Sequence, residues 1–213
     1  MTTLAIMKAR IASELRRDDL TSDIADAIGS AIGAYQHNHW YFNESRALVF
    51  NTVAGQSIYT STDAPDIVNV LKILYGFVMI GTAPYTLTAR PIQEVESTNL
   101  WGTITGQPID YSWFSRSIHL TPIPSAVYQA RFGAVLIAAA PATDTEINNP
   151  WMTHAERLVR CRAKAELYAH VIKDPGKADT YASLASEAQM QIRNKTAGMI
   201  APGPLTVAPS GFW

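Results

Sequence analysis

The residues of this chain that could do chemistry are few, and a pair of histidines is the most suggestive of them. His37 and His39 stand two positions apart, and Glu44 follows closely. Imidazoles and carboxylates are ligands that zinc uses in proteins. The spacing, however, places both histidines at the end of a predicted helix, with no other ligand of obvious placement. Packing among aromatic neighbours, or exposure at the helix end, is therefore the favoured interpretation, and we expect no metal site.

Other signatures of catalysis are incomplete. No serine stands in the G-x-S-x-G arrangement of a hydrolase nucleophile. Gly102 and Gly106 frame a short loop that lacks the lysine of a phosphate-binding site. Glu94 and Glu96 are two positions apart on a predicted helix, so their carboxylates do not face each other. Cys161 lies on the apolar face of another predicted helix and is expected to be core. We predict a chain that is not an enzyme and binds no cofactor.

A short basic stripe is the most prominent polar pattern. Arg157, Arg160 and Lys164 repeat at intervals of three and four residues along a predicted helix, with Glu156 and Glu166 among them. Such a stripe is either simply solvated or a contact for acidic protein groups or for passing DNA. A few charges of this kind would give a modest, salt-dependent contact with DNA. We take the three basic residues as candidate partner or DNA-channel contacts.

The composition limits the class of protein. Among 213 residues, 17 Lys+Arg oppose 18 Asp+Glu, for a net charge of -1, which disfavours tight binding of duplex DNA. One cysteine excludes an internal disulfide and fits folding in a reducing cytoplasm. No apolar stretch reaches the roughly 18 residues of a membrane span, and the first residues lack a secretory signal. We expect a soluble protein without membrane contact.

Apolar residues at helical spacing predict two helices at each end of the chain. The first two run from Leu4 to Leu15 and, after the N-cap Thr21, towards Tyr35. Near the end, one helix is predicted over residues 150–173 and another from Asp174-Pro175 to about residue 195. We predict that residues 1–46 and 148–196 form an antiparallel helical bundle.

Between these helices the apolar period changes to that of strands. Leu48 to Phe50 and Ile58 to Tyr59 flank a turn at Gly55 and are expected to pair. Residues 67–80 are expected to form two strands broken near residues 75–76, and residues 109–114 and 117–121 a hairpin. About seven strands predict an antiparallel β-sandwich-like domain over residues 47–147, inserted into the bundle of an α+β protein. The aromatic residues where the two parts meet are expected to be hinge packing: Trp40, Tyr41 and Phe42.

The last stretch, residues 197–213, combines proline and glycine with apolar residues. Proline and glycine disfavour a helix, whereas a disordered tail is normally poor in large apolar side chains. We predict an extended tail that docks on a neighbouring subunit by strand addition, with docking on its own chain as the alternative. The candidate docking residues are Met199, Ile200, Leu205, Val207, Phe212 and Trp213.

An ordered series of short motifs resembles a known family. They are Phe42-Asn43-Glu44, Phe50-Asn51-Thr52, Gly55-Gln56-x-x-Tyr59, Asp63-x-Pro65-Asp66, Gly106-Gln107-Pro108-x-x-Tyr111, Ile118-His119-Leu120-Thr121-Pro122-Ile123-Pro124 and Trp151. With these, most of the chain resembles the head-to-tail adaptor proteins of short-tailed bacteriophages, also called tail accessory factors or tail tubular A-like proteins. The resemblance implies a non-enzymatic ring, commonly of twelve copies, between the portal protein and a downstream tail protein. It also implies transient contact with double-stranded DNA during ejection, a place in the neck of the virion, and synthesis in the host cytoplasm.

The sequence leaves two alternative functions open. The histidine pair and scattered carboxylates leave open a small envelope-degrading hydrolase or metal-dependent enzyme. A different structural role in the same particle, as another tail or head-completion protein, is the second alternative.

Overall fold

The structure, a computed structural model, describes residues 2–100 and 104–200. The chain divides into two compact units. The helical unit comprises Met1–Tyr35, Trp40–Phe42 and Ala140–Trp213, and the β unit comprises Gln36–His39 and Asn43–Ala139. The mixed α+β class is confirmed by the helices and strands of the described residues. The predicted domain boundaries at residues 46–47 and 147–148 stay predictions.

The helical unit begins with two amphipathic helices. Helix α1 (Leu4–Leu15) starts after Thr3, whose side chain accepts a hydrogen bond from the Ile6 amide, and it ends at Arg16 in the left-handed region. Helix α2 (Thr21–Tyr35) carries Asp23 in its first turn, where the helix dipole favours a negative charge. Of the apolar positions at helical spacing in these two helices, five are buried, namely Met7, Ile11, Ile24, Ile28 and Ile32. The other three, Leu4, Leu15 and Tyr35, are half-buried.

The predicted helix over residues 150–173 is divided into three parts. These are α4 (Pro150–His154), α5 (Glu156–Glu166) and a π-helix (Leu167–Ile172). The Asn149 side chain accepts from the Trp151 amide and caps α4, and the break falls at Ala155, whose φ of -127° and ψ of 18° are not helical. Helix α5 packs against α1, α2 and the last helix, α6 (Pro175–Ile200). The specific antiparallel bundle is not confirmed.

Helix α6 (Pro175–Ile200) is longer than the sequence predicts. Asp174 accepts a hydrogen bond from the Lys177 amide at its start, as expected of an N-cap. The prediction that the chain is extended from residue 197 is wrong for residues 197–200, which are helical. A single glycine, Gly198, weakens a helix by only about 1 kcal/mol, and the first proline comes later, at Pro202. The other residues of the predicted tail lie outside the described residues.

The described residues of the β unit form nine strands: β1 (Glu44–Asn51), β2 (Ile58–Tyr59), β3 (Val70–Ile80), β4 (Ala83–Ala89), β5 (Thr105–Gly106), β6 (Asp110–Phe114), β7 (Ser117–Thr121), β8 (Ile123–Pro124) and β9 (Gln129–Leu136). Seven of them form one curled sheet, and β5 pairs separately with β8. Along the seven-stranded sheet the order is β1-β9-β3-β4-β6-β7-β2. All neighbours are antiparallel except β4 with β6 and β5 with β8, which are parallel. The sandwich-like arrangement is therefore not confirmed.

The predicted hairpin of β6 and β7 is confirmed. The predicted pairing across Gly55 is wrong, because β1 pairs with β9 and β2 with β7. Backbone hydrogen bonds in the connection go elsewhere: the Thr52 amide donates to Tyr128 O and the Gly55 amide to Pro124 O. Residues 67–80 are not two strands: Pro65–Asn69 is a 3₁₀ turn, and β3 continues through an irregularity between Ile73 and Tyr75.

The core of the β unit lies inside the curl of the sheet. Phe50 and Tyr59, from the two end strands of the sheet order, meet with ring centroids 4.8 Å apart. Phe132 stacks on Phe50 and packs against Tyr111. Helix α3 (Ile92–Asn99) packs against β6 and β7, with Val95 buried.

None of the helices in the described residues has both the length and the apolar character needed to cross a bilayer.

Candidate functional site

The two histidines that suggested a metal site have different partners. The His39 Nε2 atom lies 2.8 Å from Glu44 Oε1, whereas His37 Nε2 lies 3.4 Å from Gln36 Nε2. Across residues 2–100 and 104–200, no group of three or more His, Cys, Asp or Glu side chains is placed to hold a metal ion. The geometry gives His39 a hydrogen bond to Glu44 within the β unit.

The basic stripe on α5 is largely neutralised by acidic neighbours. Arg157 donates to Glu187 at 3.3 Å, and Arg160 donates to Glu14 at 2.8 Å. Lys164 also pairs with Glu14. The Arg157 side chain is 47% exposed, the Arg160 side chain 25% and the Lys164 side chain only 6%. Contact with a partner or with DNA stays a prediction for all three, and Arg157 is the one whose charge best reaches solvent.

Lys164 is a buried cation held on two sides. Its ammonium pairs with Glu14 of α1 and lies 4.6 Å from the centroid of the Tyr181 ring of α6. Tyr181 in turn stacks on Tyr168 of the π-helix, with ring centroids 5.4 Å apart. Burial lowers the pKa of Lys164. This arrangement joins four segments of the helical unit, namely α1, α5, the π-helix and α6, and it gives the charge of Lys164 a structural role.

Cys161 is buried beside this network, as its place on the apolar face of the helix predicts. Desolvation raises the pKa of its thiol, with a smaller opposite effect from the charges of Arg160 and Arg157. A buried thiol with a raised pKa is poorly reactive, because the thiolate is the nucleophile.

The three aromatic residues expected at the hinge belong to a cluster of the helical unit. Trp40 and Trp151 are fully buried. Phe42 stacks on Trp40 at 6.1 Å and meets Trp151 edge-on at 5.5 Å. The Trp40 indole donates to Tyr35 O at 3.1 Å, and Lys195 donates to the Tyr41 hydroxyl at 3.0 Å. The contacts describe structural packing, and the role of a hinge stays a prediction.

Of the predicted docking residues, Met199 lies on α6 and is 60% exposed. Ile200 ends that helix. Leu205, Val207, Phe212 and Trp213, together with the side chain of Ile200, lie outside the described part of the chain.

Sequence reasoning missed a cavity of the β unit between α3, β2 and β7. It measures about 410 Å³ and is lined by Ser57, Ile58, Glu96, Asn99, Leu100 and His119. Ile118 and Leu120 point into the core, so the alternation of β7 turns His119 towards the opposite face, under α3. That alternation was the available signal, but the contribution of α3 to the same place depends on the tertiary fold.

His119 forms a hydrogen bond with Ser117 whose direction is the reverse of the one that activates a serine nucleophile. Ser117 Oγ lies 2.9 Å from His119 Nε2 and donates to Phe114 O at 2.6 Å. A serine has one hydroxyl proton, so the proton in the Ser117–His119 bond belongs to Nε2 of the imidazole. A base that activates serine must accept that proton instead. The pair therefore satisfies buried polar atoms rather than activating Ser117.

We predict that His119 makes the protein less stable in mild acid. Burial lowers its pKa below 6.5, and the charge of Glu96 only partly offsets this. Below pH 6.5 and above the native pKa, the unfolded chain binds more protons, so the free energy of unfolding falls as the pH falls. Urea unfolding at pH 7.5 and pH 5 should show a smaller acid loss for His119→Asn than for the parent. The exposed His37→Asn variant is the control, and an acid loss reduced equally in both variants would contradict the assignment.

Comparison with known families adds one finding. A family model described as SU10 adaptor protein matches residues 2–208. No curated protein matches the chain.

Proposed function

We infer the function from the family: the chain belongs to the SU10 adaptor protein family, and it is a structural adaptor protein of a phage. The match spans nearly the whole chain, so the resemblance to phage head-to-tail adaptors is confirmed. As an adaptor it is a component of the virion and interacts with other phage head or tail proteins.

We propose further that twelve copies form a closed ring in the neck, between the portal protein and the next tail protein. A ring requires a head-to-tail interface that closes on itself. Exposed apolar side chains could be buried in such an interface. In the helical unit they include Ile147 and Met190, each 64% exposed, and in the β unit Val127, 69% exposed, and Phe114, 52% exposed.

We propose also that DNA passes through the centre of this ring during ejection. The net charge of -1 supports this proposal, because a chain without a basic excess would let DNA slide through the channel without binding it tightly. Arg157 is the residue of the basic stripe that we assign to transient phosphate contact, since its side chain is 47% exposed. The polarity of the Ser117–His119 bond supports a role without catalysis.

The mass of the purified protein, alone and mixed with its portal protein, tests the proposal. We expect a twelve-copy complex with the portal, visible as a ring by electron microscopy. A monomer that never associates with the portal would contradict the ring. Co-assembly with a tail-tube protein instead would assign the chain to another structural position in the particle.

We predict that the tail contributes to assembly and not to folding. A chain ending at Ile200 should keep its circular dichroism spectrum and its unfolding midpoint, because it retains all of Pro175–Ile200 of α6. It should assemble to a lower fraction by light scattering, since the apolar residues beyond are absent. Phe212→Ser with Trp213→Ser should behave likewise, whereas Thr206→Ala with Ser210→Ala should not. Unchanged assembly of the shortened chain would contradict a docking role.

A further inference from the structure

The cavity between α3, β2 and β7 has the size and the lining of a small binding site. Its volume of about 410 Å³ falls within the range of about 300–1,000 Å³ that is usual for ligand pockets. Two apolar walls are contributed by Ile58, which is 47% exposed, and Leu100, which is 82% exposed. The polar lining comes from Ser57, Glu96, Asn99 and His119.

The imidazole of His119, a residue that lines this cavity, has one nitrogen free to accept a hydrogen bond. His119 is only 6% exposed, and its Nε2 is committed to Ser117 Oγ at 2.9 Å. Because Ser117 donates its own proton to Phe114 O, Nε2 carries the proton of the imidazole. Burial keeps the ring neutral by lowering its pKa. In a neutral imidazole with its proton on Nε2, the other nitrogen, Nδ1, is a hydrogen-bond acceptor.

Glu96 adds a negative charge beside this acceptor. Among the described residues it forms no ion pair within 4.0 Å, whereas Glu94 on the same helix pairs with Arg90 at 3.8 Å. Its charge is close enough to oppose the effect of burial on His119. Asn99 and Leu100 stand at the C-terminal end of α3, where the carbonyl groups carry partial negative charge. The side chain of Asn99 already donates to Leu120 O and accepts from the Thr121 hydroxyl.

We propose that this cavity binds an arginine side chain presented by a partner protein. Its guanidinium donates to Glu96 and to His119 Nδ1, and its methylene stem lies against Ile58 and Leu100. A site with two acceptors, a negative charge and apolar walls matches the chemistry of a cation on an apolar stem.

Arginine fits this lining better than lysine does. The guanidinium is planar and offers five donors in a fixed arrangement, so one group can serve two acceptors that lie in different directions. An ammonium is a compact, strongly hydrated charge, and transferring it into a half-enclosed cavity costs more. The inference goes beyond the adaptor function and depends only on the geometry of the β unit, so failure to form a ring would leave it intact.

Titration of the full-length protein with N-acetyl-L-arginine amide tests the proposal, observed through the imidazole nitrogen resonances of His119 by NMR. We expect a saturable shift of the Nδ1 resonance. The citrulline analogue, which has the same shape without the charge, should produce no saturable shift, and the lysine analogue should bind more weakly. Absence of saturation with the arginine probe, or equal binding of citrulline, would overturn the proposal. Tighter binding of the lysine analogue would overturn the assignment to arginine.

Two variants separate a specific site from general charge attraction. Glu96→Gln should weaken binding about twofold to fivefold, the range expected when a partly exposed ion pair is lost. Glu94→Gln removes the same charge from the same helix outside the cavity and should leave binding unchanged. Both side chains are exposed, so both proteins should fold. Equal effects of the two substitutions would show that the probe does not occupy this cavity.

Discussion

Replacing Gly76 with alanine is expected to lower the free energy of unfolding by about 3 kcal/mol, the upper range for overpacking a core. A methyl group at this position of β3 would lie 2.5 Å from Cε1 of Phe132. Phe132 is 1% exposed and is enclosed by Phe50 and Tyr111, so its ring cannot move away. Urea unfolding followed by far-ultraviolet circular dichroism measures the loss.

Gly133→Ala is the matched control, one strand away and on the other face of the sheet. Here a methyl group would meet the far end of the Tyr75 ring. Tyr75 is 36% exposed, so its ring can turn towards solvent. We expect a loss of less than about 1.5 kcal/mol, since relief of strain is available and alanine is favoured over glycine in a strand. Equal losses at the two glycines would contradict the view that the rigidity of the covering ring decides the effect.

Replacing Glu14 with glutamine is expected to cost about 2–3 kcal/mol at neutral pH. A buried cation that loses its counter-charge typically costs about 3–5 kcal/mol, and the 35% exposure of the Glu14 side chain reduces this. Lys164 would lose its carboxylate partner and keep the face of the Tyr181 ring beside its charge. Arg160, which donates to the same carboxylate, would lose one of its two acidic neighbours. Thermal and urea unfolding at pH 7 would measure the effect.

The companion variant Lys164→Met separates the charge from the packing. Methionine fills a similar volume without charge, so the free energy of unfolding should stay within about 1 kcal/mol of the parent.

The loss of unfolding free energy caused by Glu14→Gln should become smaller at high pH. Burial lowers the pKa of Lys164 below 10.5, so between the native pKa and 10.5 the unfolded chain binds more protons and stability rises with pH. A Glu14→Gln cost that is independent of pH would contradict a buried charge as its cause.

Much of the local structure could be predicted, because the signals lie close together in the sequence. The apolar repeat of α2 is sufficient to identify its buried face, and Asp174 before Pro175 marks the start of α6. The β6–β7 hairpin needs only two alternating stretches and a short connection. Each of these features depends on residues within one or two turns of each other.

Long-range pairing could not be predicted in the same way. Strand β9 lies between β1 and β3, although about fifty residues separate it from β3 in the chain. A loop of that length closes at an entropic cost that depends weakly on sequence. The same limit hid the cavity, since Glu96 and His119 come from separate elements. It also hid the burial of Lys164, whose position at the edge of an apolar face gives no sign that Glu14 and Tyr181 approach it.

The two ends of the curled sheet meet through side chains rather than through a ladder. The Tyr59 hydroxyl donates to Gln56 O at 2.8 Å and accepts from the Val53 amide at 3.1 Å, so one phenol ties the connection between β1 and β2. Opening this junction breaks few hydrogen bonds, whereas separating β3 from β9 breaks a long ladder. In hydrogen–deuterium exchange, the Val53 amide should therefore exchange through a local opening, well before the amides at the centre of the sheet. Tyr59→Phe should accelerate exchange of the Val53 amide and leave exchange at the centre of the sheet unchanged. The Tyr59 hydroxyl therefore holds the junction between the two end strands closed.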